Sequence, residues 1–293
     1  MNWEKRRAFS AWLLIGPALA VILAVVGWPL IQTVFISFTD ANLLSSDTHW
    51  VGFSNYANAL TSRDFLGALK TTVLFTLTTV PAEIVIGVLV ALLLNQPLYG
   101  RRFFRALLVL PWAMPTVINA MSWRLIYNPD FGPLNALLTQ TGITSAYRTW
   151  LGDPSIALWA VAVADIWKTF PLVAMITLAA LQTVPQEQIE AAHIDGANAW
   201  KRFQVVILPA IVGPLLVALV LRTIEVMKVF DIIYVMTRGG PANSTRTLSM
   251  QVYQEAFGSL RAGSGASQGL LVLLFTMILI VTYLQIVRRQ ARA

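Results

Sequence analysis

Three patterns in this sequence could do chemistry, and each asks for a different kind of protein. Gly265-Ala266-Ser267-Gln268-Gly269 matches G-x-S-x-G, which exposes a serine nucleophile when it sits on a strand-to-helix elbow within reach of a histidine. Here it lies at the mouth of an apolar run, where small residues equally allow close helix packing, so an intramembrane serine protease stands against a packing role. A second set, Glu83, Arg124, Asp165, Lys168, Arg222, Glu225, Lys228 and Asp231, falls within or near apolar runs. An ionisable group at mid-bilayer costs roughly 2.5–3.5 kcal/mol, so these should face a protein interior or an aqueous path. The third pattern is a polar stretch from Thr183 to Pro209, TVPQEQIEAAHIDGANAWKRFQVVILP, set between two apolar runs.

Other chemistries are absent from the sequence. No glycine is followed by lysine, so there is no G-x4-G-K-[ST] phosphate loop and energy must come from elsewhere. The absence of cysteine excludes disulfides, thiolate catalysis and Cys-ligated metal. His49 and His193 lie far apart, which argues against a histidine metal site. No catalytic residue and no metal ligand is expected, and no cofactor in this chain.

The charged set must be positioned by membrane helices. Arg222, Glu225, Lys228 and Asp231 recur every third residue with alternating sign, a spacing at which neighbours pair along a helix. They form either a self-neutralising ladder or the polar wall of a translocation path, and Asp165 with Lys168 makes a similar pair beside Trp167. Trp123, Trp167, Phe230 and Tyr234 would suit stacking on the apolar face of a sugar ring, or simply packing. Asn119 is a candidate for a hydrogen bond to solute or to another helix.

The polar stretch carries its own helix signals. Thr183 can cap a helix, with Gln186 as reciprocal partner and Pro185 at the first helical position. Gly196 offers a left-handed stop, and Asn198 can start a second short helix. Ten helical residues span about 15 Å, suited to lying along a membrane surface. Ala191 and Ala192 leave one side nearly bare for close approach, with Glu190 and Asp195 as charged points for orientation. An ordinary connecting loop is the plainer alternative.

Composition sets the class. A chain of 293 residues that is 57% hydrophobic and 12% charged, with mean hydropathy +0.67, has too little polar surface to cover a soluble globule. Six apolar spans are expected, near 11–38, 69–94, 104–127, 156–181, 205–235 and 269–287, with a kink at Pro29 in the first; the third contains Pro111 and Pro115. The first run is too long for a signal-peptide core. The net charge of +7 resides at the ends of apolar runs, which is a topology signal rather than a nucleic-acid footprint. Lys5, Arg6, Arg7, Arg101, Arg102, Arg105, Lys201, Arg202, Arg288, Arg289 and Arg292 fall on one side, against Arg63, Lys70, Arg148, Arg238, Arg246 and Arg261 on the other. The positive-inside rule makes the first side cytoplasmic, with both termini and the polar stretch. The fold class expected is all-α, a polytopic membrane protein forming a single transmembrane domain over 1–293.

Glu190-Ala191-Ala192, Gly196 and Ile207-Leu208-Pro209 read E-A-A-x3-G-x10-I-x-P. This resembles the EAA loop of the membrane subunits of binding-protein-dependent ABC importers, and the fuller EAAHIDGA resembles the carbohydrate-uptake subfamily. The resemblance covers nearly the whole chain: Pro29 with Ser37-Phe38-Thr39, Val51-Gly52-Phe53-Ser54-Asn55-Tyr56, Arg105 with Pro111 and Pro115, Trp150-Leu151-Gly152-Asp153-Pro154, Trp167, and Leu181-Gln182. Gly239-Gly240-Pro241 is similar to an element of the maltose/glycerol-phosphate permease type, with Arg238 where a small residue is common. The resemblance implies a type I importer permease in a bacterial inner membrane, with a coupling helix in the loop 183–209. It implies as partners a second homologous permease, an ABC ATPase dimer carrying ATP and Mg2+, an extracytoplasmic solute-binding protein and a carbohydrate-like solute, in membrane lipid and without nucleic acid. Glu190, Ala191, Ala192, Asp195 and Gly196 would couple to the ATPase. The substrate-path candidates are Asn119, Trp123, Asp165, Trp167, Lys168, Glu225, Lys228, Asp231 and Tyr234. A secondary, ion-coupled transporter is the alternative; it would explain the intramembrane charges but not the EAA loop, and six spans are only half of many such carriers.

Overall fold

A computed structural model describes residues 3–45 and 47–290; Arg292, used in the topology reading, lies outside them. The described residues are nearly all helical, apart from loops and an isolated antiparallel bridge between Thr39 and Trp50. In chain order the helices are α1 (Trp3–Ile22), α2 (Trp28–Ser37), α3 (Ser54–Thr61), α4 (Arg63–Leu94), α5 (Arg101–Ala113), α6 (Thr116–Ile126) and α7 (Pro133–Gln140). Then follow α8 (Ala157–Leu181), α9 (Gln186–Ile194), α10 (Ala199–Arg202), α11 (Leu208–Met227), α12 (Asp231–Met236), α13 (Leu248–Tyr253) and α14 (Ala262–Gln290). Five helical stretches are long and apolar enough to cross a bilayer, and α5 with α6 makes a sixth only as a pair bent by 94°.

Three prolines mark where the spans change geometry, whereas Pro81, Pro171 and Pro214 sit inside unbroken helices. The expected kink at Pro29 is instead a π-helical turn, Leu23–Gly27, joining α1 to α2. A proline ring clashes with the carbonyl four residues before it, and that residue, Val25, lies inside the widened turn. Pro209 repeats the arrangement, because Val205 lies in the π turn Phe203–Ile207 that joins α10 to α11. Ala199–Met227 is therefore one continuous stretch. The third span was expected as one helix, but Met114 before Pro115 is extended at φ −71°, ψ 131°. The proline disfavours the helical region at its predecessor, and the chain turns there. The fifth span was expected to reach Val235 but stops at Met227, and α12 begins separately at Asp231. The second span starts six residues early, at Arg63 rather than Leu69.

The chain divides into two compact units, one holding the residues up to Ser62 with Val252–Leu273, the other Arg63–Gln251 with Leu274 onward. In the first unit, Asn55 explains the sequence Gly52-Phe53-Ser54-Asn55-Tyr56. Its amide donates to the carbonyls of Ser37 (2.9 Å) and Thr39 (2.8 Å), so it closes the end of α2. The Phe38 ring stacks on Trp50 and meets Phe53 edge-on. Gly263 lies against the Thr39 carbonyl and Gly265 against Ala256, where a Cβ would collide. Ser267 lies inside α14, buried, with its hydroxyl donating to the Ser264 carbonyl at 2.7 Å. The serine-elbow reading fails, because the motif is helical and its small residues serve packing.

In the second unit α4 and α8 pack along their length, and α11 packs on both. The buried residues of α4, among them Thr72, Phe75, Thr79, Glu83, Gly87, Ala91 and Leu94, recur every three or four positions and form one stripe. Gly87 lets the two helices close up, since a Cβ there would lie 2.7 Å from Val173 and 3.0 Å from the Ala174 nitrogen. Asp153 opens α8: its Oδ1 accepts from the Ser155 amide at 2.8 Å and hydroxyl at 2.7 Å. These bonds, the hydroxyl's first, hold its carboxyl below the ordinary range.

Candidate functional site

The charges of the predicted ladder do not share one helix. Arg222 and Glu225 belong to α11, Lys228 stands at its end, and Asp231 opens α12. The reason is the early end of α11, which removes the three-residue repeat beyond Glu225. The first rung of the ladder, Arg222 to Glu225, does form along α11, and Arg222 is bound across helices as well. Its Nε donates to Glu83 Oε2 at 2.6 Å and its Nη2 to Glu83 Oε1 at 3.0 Å, a two-pronged pair. Nη2 also reaches Asp165 Oδ2 at 3.3 Å, and Nη1 donates to Glu225. Arg222 is 4% exposed and Glu83 fully buried, so α4, α8 and α11 meet in a largely buried ionic node. The Thr169 hydroxyl completes it, 2.7 Å from Glu83 Oε1 and 2.6 Å from the Asp165 carbonyl. The pairing of Asp165 with Lys168 suggested by sequence is displaced, because the planar guanidinium matches carboxylates in a way an ammonium does not.

This node forms one wall of a cavity of about 400 Å³. Of the substrate-path candidates, Asp165, Lys168, Glu225, Lys228 and Asp231 line it, together with Trp112, Thr116 and Phe230. Asn119, Trp123, Trp167 and Tyr234 do not line it. Asn119 is buried and its amide donates to the Ala164 carbonyl at 3.3 Å, a bond to another helix. Trp123 packs against Tyr127 and edge-on to Trp167 at 6.0 Å, which is a packing role for both. Tyr234 stacks on Phe230 at 5.2 Å, behind the ring that faces the cavity. Arg124 is used as a helix cap, donating to the Val235 carbonyl at the end of α12. Arg105 does the same for α4, through the Leu94 carbonyl.

Sequence reasoning noted Glu83 and Arg222 as intramembrane charges but placed neither among the site residues. Glu83 lies in the middle of the buried stripe of α4, and a charge on such a stripe needs a partner from another helix. That was the available signal. Thr169 and Trp112 gave no comparable signal, and Phe230 stood out only as an aromatic beside the charges.

The stretch between α8 and α11 forms a bent helix pair. α9 starts at Gln186 after Pro185, and the Thr183 hydroxyl donates back to the Ala180 carbonyl at 2.8 Å. Thr183 thus closes α8 and does not cap α9. Gly196 takes φ 77°, and the Ala197 amide bonds the Ala192 carbonyl at 3.0 Å, so the glycine stop is as expected. Asn198 caps α10, accepting from the Lys201 amide at 2.8 Å. Arg202 fastens the bend, reaching His193 Nδ1 at 3.0 Å and the Ala197 carbonyl at 3.1 Å. Glu190, Ala191 and Asp195 are exposed and Ala192 half-buried. Glu190 lines a hollow of about 430 Å³ with Gln186, Ile189, His193, Ile194 and Arg202. Ile194 is 85% exposed, a large apolar side chain that the sequence reading passed over.

Apolar spans, a charge-lined cavity within the larger unit and an exposed bent helix pair define a membrane permease. Residues 83–292 match the family described as binding-protein-dependent transport system inner membrane component, and the chain belongs to that family. It is 38% identical over 286 residues to the trehalose/maltose transport system permease protein MalF of Thermococcus litoralis, covering 97% of this chain and 95% of that one. It is 34% identical over 277 residues to the sulfoquinovosyl glycerol transport system permease protein SmoG of Agrobacterium fabrum, covering 94% and 89%. Its fold matches a bacterial alginate ABC transporter solved in complex with an alginate pentasaccharide-bound periplasmic protein, with TM-score 0.82, 20% identity and coverage of 98% and 97%.

Proposed function

We propose that this chain is the permease subunit of an ATP-driven importer that carries a carbohydrate or sugar-like solute into the cytoplasm. The observation that carries this reading is the bent α9–α10 pair bearing E-A-A-x3-G on an exposed face, in a chain of the binding-protein-dependent family. The sugar-permease names of relatives that match over nearly the whole chain support the solute class. The family match speaks for an importer over an ion-coupled carrier.

In this reading α9 and α10 are the coupling helices. An ATPase subunit approaches over Ala191 and Ala192, Glu190 and Asp195 orient it, and Ile194 enters an apolar notch. Gly196 sets the angle between the helices, and Arg202 keeps that angle fixed while the ATPase dimer closes. ATP and Mg2+ belong to that dimer, and this chain hydrolyses nothing. A second, related permease completes the path, and a solute-binding protein delivers from the outer side; the related fold solved with a sugar-bound periplasmic protein supports that partner. The distribution of Lys and Arg supports cytoplasmic termini and a cytoplasmic coupling pair in an inner membrane. The cavity at Arg222 is the solute path through this subunit.

Purification of the chain from its native membrane in mild detergent, with co-purifying proteins identified by mass, tests the assembly. An ATPase and a second permease in stoichiometric amounts are expected. Recovery as a lone chain or a homo-oligomer in several detergents would remove the docking role of α9.

A further inference from the structure

The relatives' names leave the charge of the solute open, since trehalose and maltose are neutral and a sulfoquinovosyl group is a sulfonate anion. The geometry points to a cavity that accepts a neutral polyhydroxylated solute and disfavours an anionic one, with Asp231 and Glu225 as the discriminating residues. This rests on the cavity being the solute path.

Arg222 is the cation best suited to a carboxylate, sulfonate or phosphate, because its planar fork binds such groups through paired N–H bonds. Here the fork is already taken. Glu83 occupies Nε and Nη2, Asp165 shares Nη2, and Glu225 holds Nη1. An entering anion would have to displace carboxylates held on α4, on α8 and on Arg222's own helix, and would meet them at close range. The cations left are Lys168 and Lys228, neither in a direct ion pair among the described residues. Against these stand Asp231, exposed at the start of α12, and Glu225, whose side chain is 53% exposed.

The lining thus presents three cations and three carboxylates, with Glu83 behind Arg222, so its formal charges balance without a positive excess. No net field draws an anion in. A sugar hydroxyl suits such a wall, since each donates one hydrogen and accepts up to two. Its hydrogens go to Asp231 and Glu225, and its oxygens accept from Lys168 and Lys228. Phe230, stacked with Tyr234, adds an aromatic side chain to the lining.

The test uses the assembled transporter in detergent without its solute-binding protein, whose own selectivity is thereby removed. Tryptophan fluorescence is followed, with Trp112→Phe as the control that removes the cavity signal. Two matched pairs are titrated into the tens of millimolar, glucose against glucuronate and trehalose against trehalose 6-phosphate. The expected result is saturable quenching by a neutral sugar, at least tenfold tighter than by its anionic partner, with the ratio falling at least threefold in Asp231→Asn and reversing in Asp231→Lys. An anionic member that binds as tightly as its neutral partner, or a ratio unmoved by both variants, overturns the charge discrimination and keeps the cavity. If no sugar moves the Trp112 signal while the reconstituted transporter imports its solute, the cavity is not the path, and both readings fall.

Discussion

The bent α9–α10 pair and the Arg222 node carry similar residues and use them in opposite ways. In the pair, Glu190 and Asp195 are exposed, and the fixing bonds are local: Asn198 to Lys201, Ala197 to Ala192, Arg202 to His193 nine residues away. In the node, Arg222 reaches Glu83 and Asp165, which are 139 and 57 residues distant. Water supports the first region whatever touches it, so its charges are free to serve a partner. The buried members of the node, Arg222, Glu83 and Asp165, lean mainly on one another, while Glu225 reaches the cavity.

The largest break in that comparison should come from Arg222→Ala. It leaves Glu83 buried without its counter-ion, a loss of about 3–5 kcal/mol, read as a fall in thermal unfolding temperature of the detergent-solubilised transporter. Arg222→Lys should fall between, keeping the charge but not the fork. Stability unchanged in Arg222→Ala would mean that the node contributes nothing to holding the helices.

The bent pair should respond in function rather than in stability. Gly196→Pro cannot adopt φ 77°, and Glu190→Lys reverses an exposed charge. Both should lower uptake about tenfold or more while ATP hydrolysis and membrane insertion persist. Normal uptake by both would sink the coupling assignment.

A smaller effect sharpens the contrast from the packing side. Gly87→Ala forces α4 and α8 apart at Val173 and should cost about 1–3 kcal/mol. The smallest is Asn198→Ala, which removes one exposed cap worth about 1 kcal/mol. It should appear as faster amide exchange confined to α10, with global unfolding unmoved.

How much of this was legible in the chain follows from the same contrast. The Gly196 stop and the Asn198 cap were readable because a cap and its target lie within a few residues. Thr183 was misread although it too is local, because its hydroxyl had two possible targets and the sequence does not rank them. The spans were readable from their length, but not the ending of the fifth at Met227 or the right-angle break after Met114, where local backbone preference overrides hydropathy. The charges of the cavity were visible as costly residues. Their partners were not, because nothing in the spacing of Glu83 and Arg222 says that α4 and α11 meet.

The π turn at Phe203–Ile207 has a consequence for timing between the two regions. Ala199–Met227 runs about 44 Å from the bent pair to the cavity wall without interruption, so under the proposed function it would act as a shaft with a handle at one end and Arg222 near the other. A π turn holds one residue more than the α-helical turn it replaces, and one residue is about 100° of rotation. The extra residue therefore sets the phase between handle and wall. Deleting one residue there would keep both ends folded and turn one against the other, as a clock hand slips on its spindle.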